Sequence, residues 1–232
     1  MENTEKKFSL KTWMSILFWG ALWGIVEATL GTILHLPGFD GTGIYFASTA
    51  IVLPIAYCLM ANCYKRTESF YSVYLMGIVA ATIKLSVAFI IGWIDRVYFP
   101  AIYIVVESLC MGTALAIFRP KNVLSLRTFG AIVAANTVYQ FSYLLICAIN
   151  GNNAFASMEA WAKSGEKYLF TMNGLAIVYT LVVGSIAFGL FKLAEHYNFK
   201  FKFDLNKLVT SPIVAGVAVV LSFAFTIGLA AI

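Results

Sequence analysis

The stretch "WGALWGIVEATLG", residues 19–31, has the composition of a membrane-spanning helix with one residue out of place. It lies within an apolar run at roughly 12–36, and about 20 such residues are enough to cross a bilayer. Its one acid, Glu27, stands among glycines, alanines and tryptophans. A charged side chain there costs about 2.5–3.5 kcal/mol on insertion scales, so such residues usually have a partner or a role. The stretch therefore predicts a membrane helix that carries a candidate functional residue.

The composition of the whole chain extends this prediction. Of the 232 residues, 61% are hydrophobic and 12% are charged, whereas a soluble domain is about 25% charged. We expect an all-α, polytopic membrane helix bundle of six to seven transmembrane helices, with residues 1–232 forming a single integral membrane domain. The expected core bundle covers about 12–193, and an additional C-terminal span covers about 209–231. The seven apolar runs lie at roughly 12–36, 44–63, 70–92, 98–118, 128–149, 169–193 and 209–231.

Lysine and arginine positions predict the orientation, because cytoplasmic connections carry an excess of these residues. The side that holds the N-terminus collects most of them: Lys6, Lys7, Lys11, Lys65, Arg66, Arg119, Lys121, Arg127, Lys192, Lys200, Lys202 and Lys207. The opposite side has only Arg96, Lys163 and Lys167. We therefore expect a cytoplasmic N-terminus and outward loops at 37–43, 93–98 and 150–168. The net charge of +5 follows from this topology and does not require a nucleic-acid partner.

Prolines mark where the spans begin and end. Pro37, Pro100, Pro120 and Pro212 are expected at span ends, where a helix loses little by the missing N–H. Pro54 falls inside the second run and is expected to kink that helix.

Glu27 shares its depth with three other polar residues. Counting from the predicted outer ends of their spans, Glu27, Lys84, Glu107 and Gln140 each lie eight or nine residues deep. At about 1.5 Å per residue this is roughly 12–14 Å below the outer surface. Lys84 can neutralise one carboxylate, and the other needs a donor, a proton or a cationic ligand. Three interpretations stay open: the floor of a solute site, a structural ion pair beside a protonated acid, or a proton or sodium relay.

Small residues line the same helix as Glu27. Gly20, Gly24 and Ala28 recur every four residues, which lets another helix approach closely. The stripe predicts either ordinary internal packing or a docking face for a separate protein.

The sequence lacks the short motifs that are typical of several enzyme classes. The sequence has no GxxxxGK[ST], HExxH or GxSxG pattern, and no CxxC pair. We expect no catalytic residues, no metal site and no cofactor, and we expect the protein not to be an enzyme.

Three stretches resemble the substrate-binding (S) components of energy-coupling factor transporters. They are "GALWGIVEATLG" (20–31), "AATIKLS" (80–86) and "DRVYFPAIYIVVESLCMG" (95–112), and the resemblance covers about 12–193. It implies a six-helix protein of a bacterial or archaeal cell membrane that captures a vitamin-like small molecule from outside. It also implies docking, through small residues of the first helix, onto a transmembrane coupling protein that carries ATPase subunits. The span at 209–231 is additional to the six helices of that family.

The resemblance matches Glu107, Asn136, Gln140, Asn173 and the 150–168 loop to an outward-facing substrate pocket, and Gly20, Gly24 and Ala28 to docking. The polar layer adds Glu27 and Lys84 to the expected substrate-binding residues, together with the aromatic residues Tyr139, Tyr143 and Trp161. Two rivals remain. One is a stand-alone ion-coupled transporter that uses Glu27 or Glu107, and the other is a structural membrane subunit.

Overall fold

The fold is helical throughout the described part of the chain. A computed structural model describes residues 8–33, 52–91, 94–123, 125–150 and 205–230, together with six single positions between 178 and 193. These residues contain seven helices and no strand. The helices are α1 (Leu10–Ile33), α2 (Leu53–Thr67), α3 (Phe70–Ile91), α4 (Ile94–Phe118), α5 (Leu126–Asn150), α6 (Leu205–Val209) and α7 (Pro212–Ala230). The expectation of an all-α fold is confirmed for these residues.

Three of the described helices are long and apolar enough to cross a membrane. The stretches concerned are Leu10–Leu30 in α1, Val97–Phe118 in α4 and Pro212–Leu229 in α7, and α3 contributes a shorter apolar stretch at Phe70–Ser86. The described residues therefore support part of the six to seven spans expected from the sequence.

Most helix ends fall close to the predicted span ends. The structure begins α2 at Leu53 and ends it at Thr67, whereas the sequence predicts a span at 44–63, of which 44–51 lies outside the described residues. The span predicted at 169–193 is described at six positions, which are all helical and exposed: Val178, Val182, Ser185, Ile186, Gly189 and Leu193.

One proline expectation is wrong and one is not tested. Pro54 lies in the first turn of α2. Residues 44–51 of its predicted span lie outside the described residues, so the expected kink stays a prediction. Pro100 lies inside α4, which begins six residues earlier at Ile94, and not at the end of a helix. Pro212 begins α7, and Pro120 follows the end of α4, both as expected.

Helix α1 is the centre of the packing. It contacts α7 and α3 most extensively and also touches α2. Helix α3 packs along α4, and α4 packs along α5. The core between them includes Trp23, Tyr57, Met76 and Met111, none of which is exposed.

Side-chain contacts show that successive helices run antiparallel. The Arg66 guanidinium, near the end of α2, lies 5.9 Å from the ring centre of Trp19 in the first half of α1. Tyr74, near the start of α3, and Thr113, near the end of α4, join their hydroxyls at 3.0 Å. The start of α1, the end of α2, the start of α3 and the end of α4 therefore lie at one end of the bundle.

Candidate functional site

Glu27 is held by a residue of its own helix. The indole Nε1 of Trp23 donates a hydrogen bond to Glu27 Oε1 at 3.2 Å. The two residues are four apart, so they lie on the same face of α1, one turn from each other. Trp23 is fully buried and Glu27 is half-buried. The bond ties the Glu27 carboxylate to a fully buried indole.

Lys84 stands near enough to Glu27 for their charges to interact, and it acts on Glu27 through charge without a hydrogen bond. Glu27 in turn interacts electrostatically with Glu107 on α4. Glu27 of α1 thus lies within electrostatic range of Lys84 on α3 and of Glu107 on α4. The common depth of these three residues in a bilayer stays a prediction.

Glu107 has the least compensated position of the three. Its side chain is 3% exposed. Within the described residues, its Oε1 is buried without a hydrogen-bond partner. The phenol of Tyr57 on α2 lies within electrostatic reach of Glu107 and of Tyr139 on α5, and its hydroxyl likewise finds no partner there. A buried carboxyl and a buried phenol therefore lie together between three helices.

Helix α5 adds two amides to this region. Asn136 and Gln140 are four residues apart on one face and are both nearly fully buried. As far as the chain is described, neither polar atom of the Asn136 side chain has a partner, and Nε2 of Gln140 has none. Tyr139, which interacts with Tyr57, lies between them in sequence, so this part of α5 is near α2.

This arrangement is energetically unusual. Leaving a buried donor or acceptor unsatisfied costs about 1–3 kcal/mol, and native proteins contain few such groups. Here they belong to several neighbouring residues, together with a carboxyl. Groups of this kind can hydrogen-bond a polar molecule that enters between α2, α4 and α5, or they can exchange a proton. No group of three or more His, Cys, Asp or Glu side chains that could hold a metal occurs among the described residues.

Three of the predicted substrate-binding side chains lie outside the described part of the structure. Tyr143 lies in α5, but its side chain is outside the description, and Trp161 and Asn173 are outside the described residues altogether.

The glycine stripe of α1 lies inside the bundle. A Cβ added at Gly20 would stand 2.8 Å from Val79 Cβ of α3, and one at Gly24 would stand 2.6 Å from Ser222 Oγ of α7. Ala28 is 1% exposed. The stripe is therefore covered by helices of the same chain. Internal packing, the first of the two interpretations of the stripe, accounts for it, and it offers no open docking face in this structure.

Sequence reasoning missed two residues of the site, Trp23 and Tyr57. The spacing of four between Trp23 and Glu27 is a signal that could have identified the first. Tyr57 carries no such signal, because one tyrosine in an apolar run is ordinary and only the packing of α2 against α4 brings it near Glu107.

Comparison with known proteins adds no relative. No protein-family model, curated protein or solved structure matches this chain. The described structure defines its class as an all-helical protein with three helices long and apolar enough to span a membrane.

Proposed function

We propose that this protein is a multi-pass membrane protein that binds a small polar solute for uptake, at a site in the outer half of the bilayer. The site is formed by Glu27, Lys84, Glu107, Asn136 and Gln140. The observation that carries the proposal is the buried Glu107 carboxyl, whose Oε1 lacks a partner among the described residues. A carboxyl so placed gains most from a ligand that donates a hydrogen bond or carries positive charge.

The chemistry of the surrounding groups narrows the solute. Asn136 offers one donor group and one acceptor, Gln140 offers a donor, and Tyr57 can do either. Such a set suits a compact molecule with alternating N–H and C=O or ring nitrogen atoms. A vitamin-like ring compound, as the resemblance implies, has this character. The mostly apolar surroundings also suit a ring compound with a few polar atoms.

The proposal also includes an energy source for uptake. The resemblance to the S components supports dependence on a separate coupling protein with ATPase subunits. Because α3 and α7 cover Gly20 and Gly24, such a partner would bind another surface of the bundle. The resemblance to the S components implies a bacterial or archaeal cell membrane, and the distribution of lysine and arginine supports a cytoplasmic N-terminus.

Mass spectrometry of small molecules released from the gently purified protein tests the proposal. The variant is Glu107→Gln, and the matched control is Glu68→Gln, which makes the same change at an exposed position at the other end of the bundle. We expect a compound in about one copy per chain from the wild type and the control, and its loss from Glu107→Gln. A compound retained equally by all three proteins would contradict a role for Glu107.

A second candidate function, ion-coupled transport, is favoured by the electrostatic coupling of Glu27 and Glu107. Two carboxyls within electrostatic range of each other do not readily ionise together, so one of them can carry the coupled proton. Uptake by this route would stop on addition of a protonophore and continue in cells without the ATPase subunits. The ATP-driven route predicts the reverse result in such cells. A structural subunit would show neither dependence, and Glu107→Gln would change only its stability.

A further inference from the structure

A pocket lies at the end of the bundle that holds the end of α2, the start of α3 and the end of α4. Its volume is about 410 Å³, and it is lined by Tyr64, Lys65, Glu68, Arg119, Pro120 and Lys121. Residues from the end of α2 and the α2–α3 turn form one wall, and residues just after α4 form the other. The lining carries three cationic side chains and one acidic side chain, so the pocket is positively charged.

The backbone at both walls is built in the same way. Glu68 and Arg119, the residues that follow α2 and α4, have positive φ angles of 51° and 42°. Each donates its backbone N–H back into its helix, Glu68 to Tyr64 O at 2.7 Å and Arg119 to Leu115 O at 2.9 Å. The left-handed backbone conformation of these two residues ends α2 and α4 beside each other, and the segments that follow line the pocket.

The cations of the pocket are available to a ligand. Lys65, Arg119 and Lys121 are exposed. The Arg119 Nε donates to Ala116 O at 3.3 Å, which fixes the guanidinium beside the end of α4. In the part of the chain that the structure describes, none of these three side chains forms an ion pair with Glu68.

The surroundings of the pocket match the boundary between water and lipid. Tyr71, in the first turn of α3, and Ile117, in the last turn of α4, are 59% and 71% exposed. Tyrosines concentrate at the headgroup level of membranes. All the pocket elements lie on the side that the lysine and arginine distribution assigns to the cytoplasm, and that leaflet is rich in anionic lipid.

We propose that this pocket is a binding site for the phosphate headgroup of an anionic phospholipid of the cytoplasmic leaflet. Lys65, Arg119 and Lys121 contact the phosphate, and the acyl chains lie along the exposed apolar side chains of α3 and α4. A basic pocket between membrane helices on the cytoplasmic side is a recurrent form of such a site. A lipid is favoured over a free phosphate ion because the pocket joins charge to exposed apolar surface.

The test counts lipids bound to the full-length protein. Protein is purified in detergent with equal amounts of phosphatidylglycerol and phosphatidylcholine, and bound lipid is measured by native mass spectrometry. The test variant is Arg119→Gln/Lys121→Gln. The matched control, Lys11→Gln/Arg127→Gln, removes two exposed cations from the same side, outside the pocket. Lys65→Gln serves as a milder variant that leaves the end of α4 unchanged, in case the double variant fails to fold.

We expect one phosphatidylglycerol per chain, held by the wild type and by the control. Its affinity should fall roughly tenfold to thirtyfold in the double variant and about fivefold in Lys65→Gln, because each cation near an anionic lipid contributes on the order of 1 kcal/mol. Equal losses in variant and control, or no preference over phosphatidylcholine, would overturn the proposal. Displacement of the lipid by millimolar inorganic phosphate would overturn the lipid assignment and identify a free phosphate site.

Discussion

Gly24 of α1 and Ser222 of α7 are in such close contact that a Cβ on Gly24 would stand 2.6 Å from Ser222 Oγ. No real Cβ contact is this short, so position 24 accepts only glycine while Ser222 stays in place. The hydroxyl of Ser222 is itself buried and has no partner among the described residues. The contact therefore rests on shape and not on a hydrogen bond.

The first prediction concerns this contact. Gly24→Ala should destabilise the protein by about 1–3 kcal/mol through overpacking. Adding Ser222→Ala should restore most of the loss, because it removes the oxygen that the new methyl group meets and sacrifices no hydrogen bond. Thermal unfolding of the single and double variants measures the coupling.

Gly216 on α7 provides the control for this cycle. A Cβ there would meet nothing within 4 Å, so Gly216→Ala should be neutral or slightly stabilising, because alanine favours a helix over glycine. Additive effects of Gly24→Ala and Ser222→Ala would contradict the packing of α1 against α7 described here.

The second prediction separates the Trp23–Glu27 hydrogen bond from simple loss of volume. Trp23→Phe removes the indole N–H that Glu27 accepts. If Glu27 is ionised, the loss should exceed that of Trp19→Phe by about 1.5–3 kcal/mol, the value of a hydrogen bond to a charged group. Trp19→Phe is the control for lost volume, because the Nε1 of Trp19 is buried without a partner in the described structure and phenylalanine still offers a ring to Arg66. Equal unfolding temperatures for the two variants would show that the bond contributes nothing.

The third prediction concerns the stability of Glu107→Gln. The glutamine keeps the shape of the side chain and cannot ionise, so the variant without ligand should be at least as stable as the wild type. Functional residues often carry such a cost. Denaturation in detergent measures it. A loss of more than about 1 kcal/mol would instead indicate that Glu107 takes part in a structural ion pair.

The fourth prediction tests the topology. In Lys65→Cys or Lys121→Cys, the new cysteine should react with a membrane-impermeant maleimide only after the cell membrane is opened, because both positions belong to the basic side that is predicted to be cytoplasmic. The background is low if Cys58, Cys63, Cys110 and Cys147 are replaced first. Labelling of both positions in intact cells would reverse the assigned orientation, and with it the leaflet of the lipid site.

The sequence predicts local features of this fold better than it predicts contacts. The bounds of α1, α3 and α5 follow from the lengths of apolar runs, because a membrane helix has a narrow range of length. The sequence also predicts a common depth for Glu27, Lys84 and Glu107, since depth in a bilayer can be counted along each helix, but it does not predict that they lie close to one another. Pro100 was misplaced because proline is tolerated near the start of a helix, which leaves the exact end undetermined.

The partner of the glycine stripe could not be read from the sequence. The spacing of Gly20 and Gly24 predicts that another helix packs closely against α1, but it does not identify that helix. The structure gives two answers at once, Val79 of α3 and Ser222 of α7. Such pairings depend on how the whole bundle closes. Tyr57 likewise could not be assigned to the candidate site from the sequence, because only the packing of α2 near α4 and α5 brings it there.

The pairing of α1 with α7 has a consequence for biosynthesis. Gly24 and Ser222 are almost 200 residues apart in the chain. At a translation rate of about 5–20 residues per second, roughly 10–40 s pass between their emergence from the ribosome. During that interval the surface of α1 beside Gly24 has no α7 to cover it, so the bundle reaches its described packing only after α7 has been synthesised.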